Sequence, residues 1–311
     1  MWIITAVFLI IALFEYSVAG SCPPELATRP CTCKVDNNVV VLICANITDE
    51  TVLKGVSRRT SGTIFDTFIL LNSSIQSIPV AFSHHNLTTL QIEDSSLNSL
   101  FDLSLCASNA ITTISLLNVS FEGGFRFAEV KASKKLRFLS IARVTIPTLD
   151  YDFKNDVSKD LEYLLLNETK TENMADDVFQ EFKKLVVVKI NYNSLKTLKR
   201  SCFPRPSTKI RVLEFNRNQI EILPDDIIED MPHLQRFEVS NNKISQIPRL
   251  FSILKHLSIS IKIEGNPLHC GCNLRWILSI GKLNVYGNCE TPARLKGKPL
   301  QKLTIADFIC L

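Results

Sequence analysis

Three stretches in the second half of the chain share one spacing of apolar residues: "LVVVKINYNSL" (185–195), "IRVLEFNRNQI" (210–220) and "LQRFEVSNNKI" (234–244). Apolar side chains occupy positions 1, 4, 6 and 11 of each stretch, and Asn occupies position 9. Positions 3 to 7 alternate as in a strand, whose neighbouring side chains point to opposite faces. Each stretch therefore predicts one short β-strand with one buried side.

The same spacing recurs through most of the chain. Six more stretches follow it: "FDTFILLNSSI" (65–75), "LTTLQIEDSSL" (87–97), "ITTISLLNVSF" (111–121), "LRFLSIARVTI" (136–146), "LEYLLLNETKT" (161–171) and "SISIKIEGNPL" (258–268). Their starts lie 22 to 25 residues apart, and the pattern fails only at Thr171 and Ser258. The segments between them carry further apolar residues, such as Phe179 and Phe203, which predict a turn or short helix. One such unit cannot bury its apolar side alone, so the units are expected to stack.

The ten cysteines fall into two clusters and two singles: Cys22, Cys31, Cys33 and Cys44; Cys270, Cys272, Cys289 and Cys310; and Cys106 and Cys202. Four cysteines at each end predict two disulfide-stapled caps. Zinc sites are disfavoured, because paired C-x-x-C spacing is missing. In "CGC" and "CTC" the two side chains of an extended segment point apart, which leaves two possible pairings in each cap.

The two single cysteines are not expected to form a disulfide with each other. They lie four coils apart in the predicted stack, about 19 Å at the spacing of neighbouring strands, whereas a disulfide needs Cα atoms within about 7 Å. A buried, inert thiol is the expected state of each, and an intermolecular disulfide is the alternative.

The end segments carry the resemblance to a known family. "GNPLHCGCNLRW" (265–276) with Cys289 and Cys310, and "CPPELATRPCTC" (22–33) with Cys44, resemble the cysteine caps of extracellular leucine-rich repeat proteins. The resemblance covers residues 22–310 and implies an α/β fold, a right-handed solenoid of about nine coils bent into a horseshoe with parallel strands on its concave face. It also implies the pairs Cys22–Cys33, Cys31–Cys44, Cys270–Cys289 and Cys272–Cys310. The Cys-Pro opening and "PCTC" are similar to arthropod secreted members, including a non-catalytic subunit of a secreted shrimp luciferase.

In this family position 9 is normally Asn, whose amide bonds backbone groups of adjacent coils. Four late coils keep it, as Asn193, Asn218, Asn242 and Asn266, whereas earlier coils have Ser73, Ser95, Val119, Val144 and Thr169. Because Val cannot form these bonds, the N-terminal half is predicted to be less regular and more mobile, with Ser and Thr as partial substitutes.

The chain divides into a signal peptide at 1–20, an N-terminal cap at 21–62, leucine-rich repeats at 63–265 and a C-terminal cap at 266–311. Residues 2–14 are apolar except for Thr5, too short a run for a membrane span of about 20 residues. A secretory signal peptide usually carries Lys or Arg before its apolar run, and this chain has neither there. An uncleaved membrane anchor is therefore the alternative. We expect a secreted, extracellular chain with no membrane span after cleavage. Five sequons fit this route and are expected to carry glycans: Asn46, Asn72, Asn86, Asn118 and Asn167.

Signals of catalysis are missing from the sequence. The histidines have no metal-ligand spacing, and there is no G-x-S-x-G motif or phosphate loop, so we predict neither an enzyme nor a cofactor nor a metal site. Nothing favours a nucleic-acid partner.

After residue 20 the chain carries 35 basic and 30 acidic side chains, and the C-terminal cap holds Arg275, Lys282, Arg294, Lys296, Lys298 and Lys302 against Glu290 and Asp307. A solvated basic surface is the simpler interpretation of the cap, and a patch for sulfated glycans is the alternative.

The concave face is the predicted binding surface. With positions 1, 4 and 6 directed inward, positions 3, 5, 7 and 8 face a ligand, and glycans at Asn72, Asn118 and Asn167 would crowd the first five coils. Coils four to eight offer Phe138, Tyr163, Lys189, Tyr192, Glu214, Arg217, Arg236 and Glu238. Such aromatic and charged groups are frequent at binding hot spots, although solvated strand residues are the simpler interpretation. The sequence thus predicts a secreted glycoprotein that binds a protein partner in the extracellular matrix or at a cell surface. The alternative is a non-catalytic accessory subunit of a secreted enzyme.

Overall fold

The computed structural model describes residues 20–79, 82, 87–101, 110–249, 259–279 and 284–310. The predicted signal peptide up to residue 19, the sequon at Asn86, Cys106 and Lys282 lie outside these ranges. The strands are β1 Thr32–Asp36, β2 Val39–Ala45, β3 Thr67–Leu71, β4 Ser74–Ile75, β5 Thr89–Leu97, β6 Thr113–Phe121, β7 Phe138–Ala142, β8 Thr148–Leu149, β9 Tyr163–Asn167, β10 Asn173–Met174, β11 Val187–Asn191, β12 Val212–Glu214, β13 Arg236–Glu238, β14 Ser260–Lys262, β15 Leu268–His269, β16 Val285–Tyr286 and β17 Cys289–Thr291.

Helices are short and lie between the strands. The α-helices are α1 Glu25–Thr28, α2 Glu50–Arg59 and α3 Tyr151–Asp156. Single turns of 3₁₀-helix and one longer segment occupy Phe127–Val130, Arg200–Cys202, Cys272–Ser279, Ala293–Leu295, Leu300–Lys302 and Ile305–Asp307. Asp49 caps α2, because its carboxylate accepts a hydrogen bond from the Thr51 amide at 2.8 Å.

One long parallel sheet organises the molecule. Its strands follow chain order, as β2, β3, β5, β6, β7, β9, β11, β12, β13, β14 and β16, and β1 pairs antiparallel with β2 at one end. Nine of these strands begin at position 3 of the nine repeats, in the register that the apolar spacing predicts. The two caps add β2 and β16 to the same sheet, which the cysteine spacing alone did not indicate.

The core lies directly beneath this sheet. Every position-4 side chain of the nine repeats is fully buried: Phe68, Leu90, Ile114, Leu139, Leu164, Val188, Leu213, Phe237 and Ile261. A second layer comes from the return segments, where the rings of Phe127, Phe153, Phe179 and Phe203 follow one another with centroids 4.9 to 5.6 Å apart. Edge-to-face and stacked rings of this kind fill the space between successive coils.

The turn after each strand follows two rules. At position 9, Asn218 Oδ1 accepts from the Leu195 amide at 3.1 Å, and Asn218 Nδ2 donates to the Ile190 carbonyl at 2.8 Å. Asn193, Asn242 and Asn266 bond in the same way. At position 8 the backbone is left-handed in all nine repeats, with positive φ at Asn72, Asp94, Asn118, Arg143, Glu168, Tyr192, Arg217, Asn241 and Gly265. Asn46 adopts the same conformation at the equivalent place after β2 in the N-terminal cap.

Serine takes over the asparagine role in the first coils. Ser73 Oγ accepts from the Ile47 amide at 3.0 Å and donates to the Leu71 carbonyl at 2.7 Å, while Ser95 Oγ accepts from the Ser73 amide at 3.1 Å. Val119 has no polar side-chain atom and cannot form such bonds. At this place β5 and β6 are nine residues long, and their backbones continue to pair after the left-handed turn, from Val119 to Phe121 on β6. The early coils are therefore built differently from the late ones; their predicted mobility stays a prediction.

Four disulfides close the two ends. They join Cys22–Cys33, Cys31–Cys44, Cys270–Cys289 and Cys272–Cys310, the pairs that the family resemblance implies. Cys202 is a buried free thiol whose Sγ lies 3.6 Å from the Ala175 carbonyl oxygen, and burial raises its pKa to about 11. This is the inert state expected for Cys202.

Candidate partner-binding face

An apolar strip crosses the open face of the sheet. It consists of Phe138, Tyr163, Val187 and Val212, which occupy position 3 of four neighbouring strands, and of Leu165 beside them. The rings of Phe138 and Tyr163 lie 5.9 Å apart, and all five side chains are partly exposed. The sequence selected the two aromatic residues and missed the three aliphatic ones, although the repeat positions place them on the same face.

A charge lattice continues the face toward the C-terminal cap. It consists of Lys189, Glu214, Arg236, Glu238 and Lys262 on β11 to β14. Lys189 Nζ lies 3.1 Å and Arg236 Nη1 3.6 Å from Glu214 Oε1. Lys262 Nζ lies 2.9 Å and Arg236 Nε 3.8 Å from Glu238 Oε1. Glu214 is thus held between basic side chains of the two adjacent coils, and Glu238 between Arg236 of its own coil and Lys262 of the next.

The acids and the bases of this lattice differ in exposure. The side chains of Glu214 and Glu238 are 9% and 12% exposed, whereas those of Arg236 and Lys262 are 51% and 43% exposed. Burial alone would raise the pKa of Glu238, but hydrogen bonds from Lys262 and Asn216 outweigh it and lower the pKa. The lattice therefore presents a basic surface above the largely buried carboxylates of Glu214 and Glu238. Glu214, which was predicted as a contact residue, lies beneath Lys189 and Arg236 and forms ion pairs with both. Its contact with a partner stays a prediction.

Tyr192 and Arg217 stand apart from both groups. They occupy the left-handed turns after β11 and within the next coil, and the Arg217 guanidinium carbon lies 5.1 Å from the centre of the Tyr192 ring. Both side chains are exposed, and their stacking forms a ridge at the edge of the sheet. The eight predicted binding residues thus fall into three groups. Two belong to the apolar strip, four belong to the charge lattice, and Tyr192 and Arg217 form the ridge.

The predicted sequons also differ in their position. Asn46 and Asn72 are exposed in the turns directly after β2 and β3, and Asn118 is exposed in the left-handed turn within the long strand β6. Asn167, at the end of β9, is half-buried and thus the least exposed of the four described sequons. Their occupancy stays a prediction.

Two of the five described basic side chains of the C-terminal cap form ion pairs within the cap. Lys296 pairs with Glu290, and Lys298 Nζ lies 2.7 Å from Asp307 Oδ2. Arg275, Arg294 and Lys302 are exposed without an ion pair within the described part of the chain. The patch for sulfated glycans stays a prediction.

Within the described residues, no group of three or more His, Cys, Asp or Glu side chains is arranged to hold a metal ion. The helices in those ranges are all too short or too polar to cross a membrane.

Comparison with curated proteins finds leucine-rich repeat relatives of partial length. The chain is 27% identical over 150 residues to a leucine-rich repeat and fibronectin type III domain-containing protein 1-like protein of Danio rerio, across 44% of this chain and 22% of that protein. Toll-like receptor 6 of Bos taurus is 27% identical over 157 residues, across 40% of this chain and 19% of the receptor. The matches to these relatives thus cover about a fifth of their length. No family model matches the chain.

One relative matches nearly from end to end. The Oplophorus-luciferin 2-monooxygenase non-catalytic subunit of Oplophorus gracilirostris is 25% identical over 329 aligned residues, across 94% of this chain and 88% of that subunit. Among solved structures, the leucine-rich repeat chain FLRT2, from an octameric complex with Latrophilin 3 and Unc5D, superposes with a TM-score of 0.64 at 17% identity, over 91% of this chain and 98% of that one. The comparisons confirm the resemblance and the leucine-rich repeat fold.

Proposed function

We propose that this capped leucine-rich repeat solenoid is a secreted, non-enzymatic glycoprotein that binds a protein partner on the concave face of its sheet. The relatives support protein–protein interaction in general, and the disulfides favour an extracellular location. The observation that carries the proposal is the apolar strip lying directly beside the basic surface of the charge lattice.

The geometry suggests the character of the partner. The strip offers apolar area at the centre of the face, and the half-exposed side chains of Arg236 and Lys262 stand at its side. A complementary partner has an apolar centre flanked by acidic side chains, because like charges across an interface are strongly unfavourable. Since the lattice is pre-assembled by ion pairs between coils, Arg236 would lose little conformational freedom on binding.

A second candidate is an accessory subunit of a secreted enzyme. The near end-to-end match to a non-catalytic luciferase subunit favours it over the partial matches to receptor-type proteins. In this candidate the concave face binds a catalytic chain; in the first it binds a matrix or cell-surface protein.

Capture from the extracellular fluid of the source organism tests both candidates. Wild-type protein and the variants Tyr163→Ala and Arg236→Ala are immobilised, with Tyr151→Ala as the matched control, because Tyr151 is 71% exposed in the return segment behind the sheet. We expect each concave variant to weaken binding by more than ~1 kcal/mol and the control to bind normally. A stoichiometric catalytic partner identifies an accessory subunit, and a matrix or receptor partner identifies the first function.

Two outcomes would contradict the proposal. Normal capture by both concave variants, with loss in a cap or return-segment variant, would move the site elsewhere. Loss of capture after enzymatic removal of the glycans would mean that the sugars, rather than the sheet, hold the partner.

A further inference from the structure

A polar trough runs across the first coils, over the C-terminal parts of the sheet strands β4, β5 and β6. Two adjoining depressions of about 770 and 710 Å³ form it, and both are lined by Thr48, Ser74, Ser96, Ser120 and Phe121. Volumes of this size suit a ligand of several rings. The charge lattice and the apolar strip contribute no side chain to either depression.

The floor of the trough follows from the extended strands of the early coils. Ser74, Ser96 and Ser120 are direct neighbours in the register of β4, β5 and β6, so their hydroxyls repeat at about 4.8 Å. Ser96 Oγ donates to Ser74 Oγ at 2.8 Å, and Ser120 is exposed. Phe121 and the neighbouring Phe125, with ring centroids 5.3 Å apart, form an apolar wall at one end.

The rim of the trough carries two predicted glycosylation sites. Asn72 and Asn118 line the second depression, and Asn118 Nδ2 donates to Asp94 Oδ1 at 2.7 Å. An amide carries two N–H groups, and glycosylation replaces one of them with a bond to the anomeric carbon of the sugar, while the diphosphate of the lipid-linked donor leaves. The remaining N–H can keep its bond to Asp94, which would fix the direction of the first sugar.

The charges of the lining select the kind of sugar. Asp49, Asp94 and Glu122 line the trough, and Arg143 is the one basic lining side chain among the described residues. Arg143 Nε already lies 3.2 Å from Glu168 Oε2. An acidic lining repels sulfated or sialylated chains, whereas hydroxyl, amide and carboxylate groups beside an aromatic wall suit a neutral oligosaccharide.

We propose that the trough holds the neutral N-linked glycans attached to this chain at Asn72 and Asn118. Covalent attachment keeps the sugar near the trough at an effective concentration in the millimolar range, so weak hydrogen bonds suffice to hold it. The proposal requires passage through the secretory route, and it is independent of the protein partner that the concave face binds.

Site-resolved glycan release tests the proposal on the intact protein secreted by eukaryotic cells. Asn46 is the internal control, because it lies in an exposed left-handed turn of the same kind as those at Asn72 and Asn118 but lines neither depression. Under native conditions, peptide N-glycosidase should release the glycans at Asn72 and Asn118 about tenfold more slowly than the glycan at Asn46. Mass spectrometry of each glycopeptide measures these rates, and all three rates should become equal in denaturant.

A second variant separates occupancy of the trough from simple crowding. Ser96→Trp places a bulky ring on the solvent side of β5, where it fills the trough floor and leaves the core untouched, and it should bring the release rates at Asn72 and Asn118 up to that of Asn46. Unchanged slow release in Ser96→Trp would overturn the proposal, as would absence of glycan at both sites. If release is fast in the wild type while an Asn72→Gln, Asn118→Gln double variant captures a bead-linked neutral oligosaccharide, the occupant is a separate glycan and the proposal is wrong.

Discussion

Replacing Asn218 by Ala should lower the free energy of unfolding by more than most substitutions of a single polar residue do. The Asn218 side chain is buried and joins its own coil to the preceding one, through the Leu195 amide and the Ile190 carbonyl. Alanine leaves both of these backbone groups buried without a partner, at about 1–3 kcal/mol each. The Phe215 carbonyl loses less, because Asn242 Nδ2 still donates to it at 2.9 Å. The expected loss is therefore about 2–6 kcal/mol, a large share of an ordinary stability of about 5–15 kcal/mol.

Chemical unfolding of the secreted protein, followed by far-ultraviolet circular dichroism, measures this loss. Asn218→Ser should lose less stability than Asn218→Ala, because a hydroxyl at position 9 can accept one hydrogen bond and donate another. Ser73 does so, accepting from the Ile47 amide and donating to the Leu71 carbonyl. Asn273→Ala is the matched control: Asn273 is exposed, so its substitution should change stability by less than about 0.5 kcal/mol. Equal stability of Asn218→Ala and Asn273→Ala would refute the role given to the asparagine ladder.

Three further predictions concern the core, the C-terminal cap and the free thiol. Leu213→Ala removes a fully buried position-4 side chain and should cost about 2–5 kcal/mol; an unchanged melting temperature would count against the register. Hydrogen bonds from Lys298 and Thr304 lower the pKa of Asp307 to about 2, so its stabilising contribution is present above the ordinary carboxyl pKa and is lost as the pH falls from about 4 toward 2. In Asp307→Asn the melting temperature should therefore change less with pH in this window, and a pH profile identical to that of the wild type would exclude the effect. Cys202 should resist iodoacetamide at pH 8 in the folded protein and react after unfolding, as read from its own peptide, whereas rapid native labelling would show that the thiol is accessible.

The repeat spacing predicted the sheet because burial is repeated identically in every coil. Positions 4 and 6 must be apolar wherever a strand covers the core, so nine strands could be placed from the letters alone. The left-handed turns were less visible. Asn, Asp and Gly favour this conformation, but Arg143, Tyr192 and Arg217 adopt it as well, because backbone bonds to the next coil hold each turn.

The binding face was predicted only in part, since its chemistry depends on contacts between coils. Lys189, Glu214, Glu238 and Lys262 all occupy position 5, so the repeat alignment contains their side-by-side order. What the alignment cannot show is that the two acids sink beneath the bases, which depends on how the side chains share the space above the sheet. The trough was missed for a related reason: its floor exists because β5 and β6 continue past the turn.

Hydroxyl-radical footprinting of the complex with the captured partner tests the concave binding face most directly. The method oxidises exposed aromatic side chains, and both the sheet and the return segments carry such side chains. Phe138 and Tyr163 lie on the apolar strip, and Tyr151 lies behind the sheet. Binding on the concave face predicts that Phe138 and Tyr163 lose their oxidation in the complex while Tyr151 is oxidised as in the free protein. Protection of Tyr151 with full oxidation of Phe138 and Tyr163 would contradict it.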